Sequence, residues 1–98
     1  MHETHTFAIT ADHPCLPGHF PGRPVVPGVV VLDEVLSGWQ ALHPSSTVSE
    51  ITVAKFHRPL GPGEQVCVSY IPAGETVKFE CRVGDERVAS GRLRARPA

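Results

Sequence analysis

No apolar run in these 98 residues approaches the ~20 needed to span a bilayer. The opening Met1-His2-Glu3-Thr4-His5-Thr6 is too polar for a signal peptide, so the cytoplasm is the expected compartment and no membrane partner is expected. An excess of either charge is also missing. The formal net charge is -1, which leaves no basic footprint for nucleic acid. Cysteine is sparse: Cys15, Cys67 and Cys81 are odd in number and form no Cys-x-x-Cys pair, so neither a disulfide framework nor a zinc ribbon is supported. Cys67 and Cys81 fall in alternating strand patterns and read as small buried thiols. His13, Cys15 and His19 suggest a metal set, but Pro14 and Pro17 deny that loop the turn spacing that gathers ligands, and no fourth ligand is evident. Neither repeats nor low-complexity linkers appear, so residues 1–98 are expected to form one domain. A chain this short buries only about 60 to 68% of its unfolded surface, and dimerisation would relieve that small core.

Proline and glycine are instead concentrated in one place, Leu16-Pro17-Gly18-His19-Phe20-Pro21-Gly22-Arg23-Pro24-Val25-Val26-Pro27-Gly28. Proline fixes φ and glycine permits close backbone approach, so the His19 side chain should be held in place. Pro27 suits the first position of a helix, and the free amides of Gly28 and Val29 would then carry partial positive charge. The helix is expected from about Pro27 to Leu42. Val29, Val30, Val31, Leu32, Val35, Leu36, Trp39 and Leu42 cover most of its circumference, which predicts a helix wrapped on several sides by a curled sheet. At 100° per residue Asp33 projects between Val29 and Val30, beside Leu36 and Gln40. A carboxylate on such a stripe is expensive to bury unless it is hydrogen-bonded or protonated. Glu34 falls with Ser37 and Ala41 and reads as a solvated charge.

Strands are expected at residues 4–10, 48–56, 64–71, 76–83 and 87–95, with Gly61-Pro62-Gly63, Pro72-Ala73-Gly74 and Gly84-Asp85 as turns. The last three should form an antiparallel meander. His2, His5, His13, His43 and His57 have no acid paired with them in sequence and read as loop or surface residues.

Gly18-His19-Phe20-Pro21-Gly22, then Pro27-Gly28 and Asp33, resembles the active-site segment of the hot-dog-fold 3-hydroxyacyl-acyl carrier protein dehydratases of fatty acid synthesis. Lys55-Phe56-His57-Arg58-Pro59 with Pro62-Gly63-Glu64-Gln65 is similar to a second segment of that family, in the same order. The short chain and Val-rich helix start are more like the small dehydratases of aryl-polyene and related pigment or polyketide pathways. The chain departs from the longer dehydratases in lacking the helix and strand they place before the His loop, which affects the outer wall of the substrate tunnel. Its acid is an aspartate, as in the branch that also isomerises the double bond.

The resemblance implies an α+β hot-dog fold, one long helix wrapped by a curved antiparallel sheet. It implies a hydro-lyase giving trans-2-enoyl thioesters. His19 would take the C2 proton, Asp33 would protonate the departing hydroxyl directly or through water, and the Gly28 amide would face the thioester oxygen. No metal or organic cofactor is implied, the substrate riding on the phosphopantetheine of an acyl carrier protein. Lys55, Arg58 and Arg23 are the expected docking residues for that acidic partner, and Arg92, Arg94 and Arg96 offer a second docking face or a charge-protected edge. The family builds each site across a dimer, the His loop of one subunit facing the acid of the other. Two alternatives share the fold: a thioesterase, which has no use for the His19 loop, and a half-site subunit that pairs with another hot-dog partner as a heterodimer.

Overall fold

Alternation between apolar and polar residues organises the chain into strands around one helix. A computed structural model describes residues 3–10 and 25–96. Its elements in chain order are β1 (Glu3–Ala8), α1 (Gly28–Leu42), β2 (Thr47–Phe56), β3 (Gln65–Ala73), β4 (Thr76–Val83) and β5 (Glu86–Arg96). The strands form one antiparallel sheet in the order β1-β3-β4-β5-β2, so the expected meander is its centre. In β3 the pattern sends Val66, Val68 and Tyr70 inward, where all three are fully buried, and Gln65 and Cys67 outward. Gly74 and Gly84 sit in the two meander turns at φ +65 and +59, a region that side chains with a Cβ enter only under strain.

The helix begins one residue later than expected. Pro27, at φ -59 and ψ 144, is the cap, and its carbonyl accepts from Val30 N at 3.0 Å and Val31 N at 3.4 Å. Gly28 and Val29 are thus the first two helical residues, whose N–H groups have no carbonyl to reach within the helix.

Val31, Val35, Gly38 and Trp39 face the sheet and are buried, and α1 packs across β1, β2 and β3. Gly38 is where the layers come closest. A Cβ there would lie 2.5 Å from the His5 ring and 2.5 Å from the Tyr70 hydroxyl. Tyr70 donates to the Val35 carbonyl at 2.5 Å, and burial pushes its pKa upward, which keeps it a donor. The end of α1 is tied down by Trp39 Nε1 donating to Ser46 Oγ, which donates in turn to the Arg96 carbonyl.

Three expectations need correction. Within one chain the sheet covers only one side of the helix: Val29 is 65% exposed, Leu42 40%, and Asp33 is exposed. A single sheet face cannot cover a helix that is apolar most of the way round, so the opposite side is left open. Two histidines do have acids, brought to them by folding. His43 meets Glu3, and His5 lies 3.7 Å from Glu34, which is partly buried rather than fully solvated. Cys67 is exposed on the outer side of β3, whereas Cys81 is buried as expected, its thiol pushed up to about 12 chiefly by burial and then by Cys67 and Glu80.

The close approach at Gly38 is testable. Gly38→Val should destabilise the fold by about 1–3 kcal/mol through overpacking against His5 and Tyr70. Urea unfolding would measure it, and an unchanged midpoint would refute the contact.

Candidate active site

The segment entering α1 is anchored by Val26 N donating to the Leu60 carbonyl at 2.8 Å, with both side chains buried. This brings the start of the helix against the end of β2. The Phe56 ring lies on Gly28: a Cβ at Gly28 would be 2.8 Å from the ring's Cζ. Glycine is required for that approach, because any larger residue would displace the ring from the helix start. Beside this contact opens a cavity of about 560 Å³ lined by Val25, Gly28, Val31, Phe56, His57 and Leu60 among others. Its walls are largely apolar, and Gly28, whose amide has no partner among the described residues, forms part of the lining. Such a place favours a developing negative charge, since helix-end amides are preorganised donors and apolar walls raise their effect.

The expected site residues divide into three groups. His19 and Arg23 lie outside the described residues. Gly28 lines the cavity. Asp33 is exposed on the open side of α1 and makes no ion pair or hydrogen bond among the described residues. Five residues of α-helix turn about 140° beyond one full turn, so Asp33 faces away from the Gly28 cavity of its own chain.

The two expected docking cations also differ. Lys55 is exposed on β2 with no carboxylate beside it among the described residues. Arg58 is held by both arms of Glu64, at 2.9 and 3.0 Å, while its Nε lies 3.0 Å from Glu86 Oε1. It also donates to the Pro59 carbonyl at 2.8 Å. Its charge is neutralised within the fold, where it joins the loop before β3 to the start of β5. The role these contacts give Arg58 is to hold the two loops together. Glu64 is bound at the same time by Gly61 N at 2.8 Å. The Arg58 guanidinium first, and then the Gly61 amide, hold the Glu64 carboxyl below its ordinary value of 4.5.

Phe56 was not anticipated as a site residue. The segment around it stands out in the sequence as the family's second motif and for the cations Lys55 and Arg58, and only the crossing of β2 with the helix start places the ring on Gly28.

The family model described as ApeI dehydratase, of the ApeI-like group, matches residues 2–92. The chain belongs to the ApeI-like dehydratase family. It is 33% identical to a 3-hydroxyacyl-acyl-carrier-protein dehydratase FabZ of Verminephrobacter eiseniae, over 87% of this chain and 67% of that protein. A FabZ of Anaeromyxobacter is 35% identical over 60% of this chain and 45% of its own length. The chain thus spans about half the length of several curated relatives it matches. Among solved structures it is similar to the dehydratase heterocomplex ApeI:P from Xenorhabdus doucetiae, with TM-score 0.81 and 25% identity over 94% of this chain and 84% of that one. The fluoroacetyl-CoA thioesterase FlK, at TM-score 0.67 and 16% identity, shares the fold. The fold of this ApeI-like chain is the hot dog expected from its two motifs.

The Arg58–Glu64 pair predicts a pH dependence with a definite sign. A carboxyl with a depressed folded pKa stabilises the protein above its ordinary value and loses that contribution as pH falls through the depressed one. Glu64→Gln should therefore cost about 1 kcal/mol at neutral pH, reduced for partial exposure, and the deficit should shrink as pH drops below 4.5. Denaturant titrations across pH 3 to 7 check this, and a deficit independent of pH would contradict it.

Proposed function

We propose that this chain removes water from 3-hydroxyacyl thioesters carried on the phosphopantetheine arm of an acyl carrier protein, giving trans-2-enoyl thioesters. The observation that carries the reading is the helix start at Gly28, whose amide has no partner among the described residues, lining an apolar cavity of about 560 Å³. Elimination needs that feature. As the C2 proton leaves to a base, its electron pair moves toward the thioester carbonyl, whose oxygen gathers negative charge that an oriented amide and the helix dipole stabilise. The pair then forms the C2–C3 double bond as the C3 hydroxyl departs with a proton from an acid, leaving as water. His19 is the proposed base and Asp33 the proposed acid, and solvent returns the proton from His19 to Asp33 between turnovers. No metal or organic cofactor takes part beyond the arm that carries the substrate.

Two features support a site shared between subunits. Asp33 faces away from the cavity of its own chain, and Val29 on the same open side is 65% exposed. A second hot-dog subunit against that side brings its own helix start toward Asp33. The similarity to the ApeI:P heterocomplex favours a different chain as that subunit, while a second copy gives the same geometry. Lys55, with Arg23, is the proposed contact for the carrier's acidic surface. The cytoplasm is the proposed compartment, and no helix among the described residues is long and apolar enough to cross a membrane.

The deciding experiment assays the purified chain, alone and with a candidate partner subunit, on short and aryl 3-hydroxyacyl thioesters. His19→Ala and Asp33→Asn should each lower dehydration by ~100-fold or more without unfolding the protein. In a homodimer, mixing the two inactive variants should restore about a quarter of native activity, because half the dimers are mixed and each mixed dimer holds one intact site. Near-native turnover of either single variant would end the assignment, and failure to complement would place both residues in one chain's site.

A further inference from the structure

The outer face of the sheet, opposite α1, carries a second concavity. Alternation that sends Val77, Phe79, Leu93 and Ala95 inward sends Lys78, Arg92, Arg94 and Arg96 outward. The strand register sets Lys78 directly beside Arg92 across β4 and β5, and Arg92 beside Val53 across β5 and β2, while Lys55 faces Ser90. Register shifts on either side of Glu50–Ile51 bend β2 here. Thr52 Oγ1 donates to the Arg92 carbonyl at 3.4 Å. Gly91 lets the strands meet, since a Cβ there would lie 2.1 Å from the Val53 carbonyl oxygen. The bend leaves a hollow of about 380 Å³ lined by Val53, Lys55, Lys78, Ser90, Gly91 and Arg92.

Three cations converge on this hollow, and none has a carboxylate partner among the described residues. The nearest acids are engaged elsewhere: Glu80 pairs with Arg82, and Glu50 with Arg94 at 3.3 Å. Like charges directly opposed on adjacent strands repel, and the register opposes Lys78 to Arg92. A second observation concerns Ser90, whose Oγ lies 2.9 Å from His57 Nε2. With the imidazole as donor to it, the hydroxyl is oriented to give its own proton to an acceptor in the hollow.

We propose that this hollow is a binding site for a phosphoryl group, a phosphate monoester or diphosphate of a small molecule, contacted by Lys55, Lys78, Arg92 and the Ser90 hydroxyl. Phosphate suits it better than a carboxylate. A monoester carries about -1.5 to -2 charges at neutral pH and three acceptor oxygens, which matches three cations and a hydroxyl, whereas a carboxylate brings one charge. The hollow lies on the face of the sheet opposite α1 and shares Lys55 with the proposed carrier contact, but Lys78 and Arg92, on which its test rests, take no part in the proposed dehydration.

Amide chemical-shift titration of the full chain tests it, using inorganic phosphate and adenosine 3′,5′-bisphosphate as separate probes against sodium chloride of equal ionic strength. Saturable shifts centred on Lys78, Ser90 and Arg92 are expected, with the spectra also reporting that each variant is folded. Lys78→Gln and Arg92→Gln should each weaken binding about threefold, and the pair together about tenfold, as for exposed charge contacts. Arg96→Gln, on the same strand but outside the hollow, should leave it unchanged. Equal affinity for the two probes identifies the phosphoryl group alone as the recognised element, and tighter binding of the bisphosphate identifies a nucleotide source. Shifts reproduced by sodium chloride, shifts centred on the helix start, equal weakening by Arg96→Gln, or binding of a DNA duplex but neither probe would each overturn the proposal.

Discussion

The seating of α1 on the sheet through Gly38 is the contact on which the rest of the structure depends. With no Cβ at that position, the His5 ring and the Tyr70 hydroxyl come up against the helix backbone, and Tyr70 bonds to the Val35 carbonyl. That contact sets the height of the helix above the sheet and therefore where its two ends fall. At one end Trp39 reaches Ser46 and ties the following turn to β5. At the other, Gly28 arrives beneath the Phe56 ring, and the two together line the cavity. The same seating turns Val29 and Asp33 outward. An apolar helix held this close on one side leaves its far side for another chain to cover.

Charge in this protein is arranged more by pairing than by number. The net charge of -1 suggests an electrostatically neutral surface. Folding instead separates cations with partners from cations without. Arg58 is clamped by Glu64 and Glu86 and holds loops, while Lys55, only three positions earlier, has no carboxylate partner among the described residues. Strand alternation then lines up Lys78 and Arg92 beside each other on the outer face, an arrangement that their separation in sequence does not suggest. The histidines follow the same logic, since β1 passes beside the middle and the C-terminal end of α1 and gives Glu34 and His43 partners from an element far away in sequence.

Much of this was legible in the chain. Val66, Val68 and Tyr70 alternate with polar neighbours and became an inward strand face. Gly74 and Gly84 marked turns that need positive φ, and the two motif segments named the fold and family before any geometry. The helix was legible in extent to within one residue. What one chain does with it was not: apolar periodicity states that a side must be covered and is silent on whether its own sheet or a neighbour covers it. The wheel likewise put Asp33 on an apolar stripe correctly but could not show that the stripe opens to the outside. The loop-holding contacts of Arg58 were not legible, because its partners, Glu64 and Glu86, are joined to it only when the loop before β3 meets the start of β5.

The sequence by itself determined the local choices, because these depend on neighbours along the chain: which residues alternate, where glycine and proline break the pattern, where a helix can start. It also determined the family, because short motifs in order are a property of the string. Only the tertiary structure decided which groups meet. The Phe56 ring on Gly28, the clamp on Arg58, the pairing of Lys78 with Arg92 and the outward turn of Asp33 all follow from sheet order and register, and those are settled by packing distant segments together.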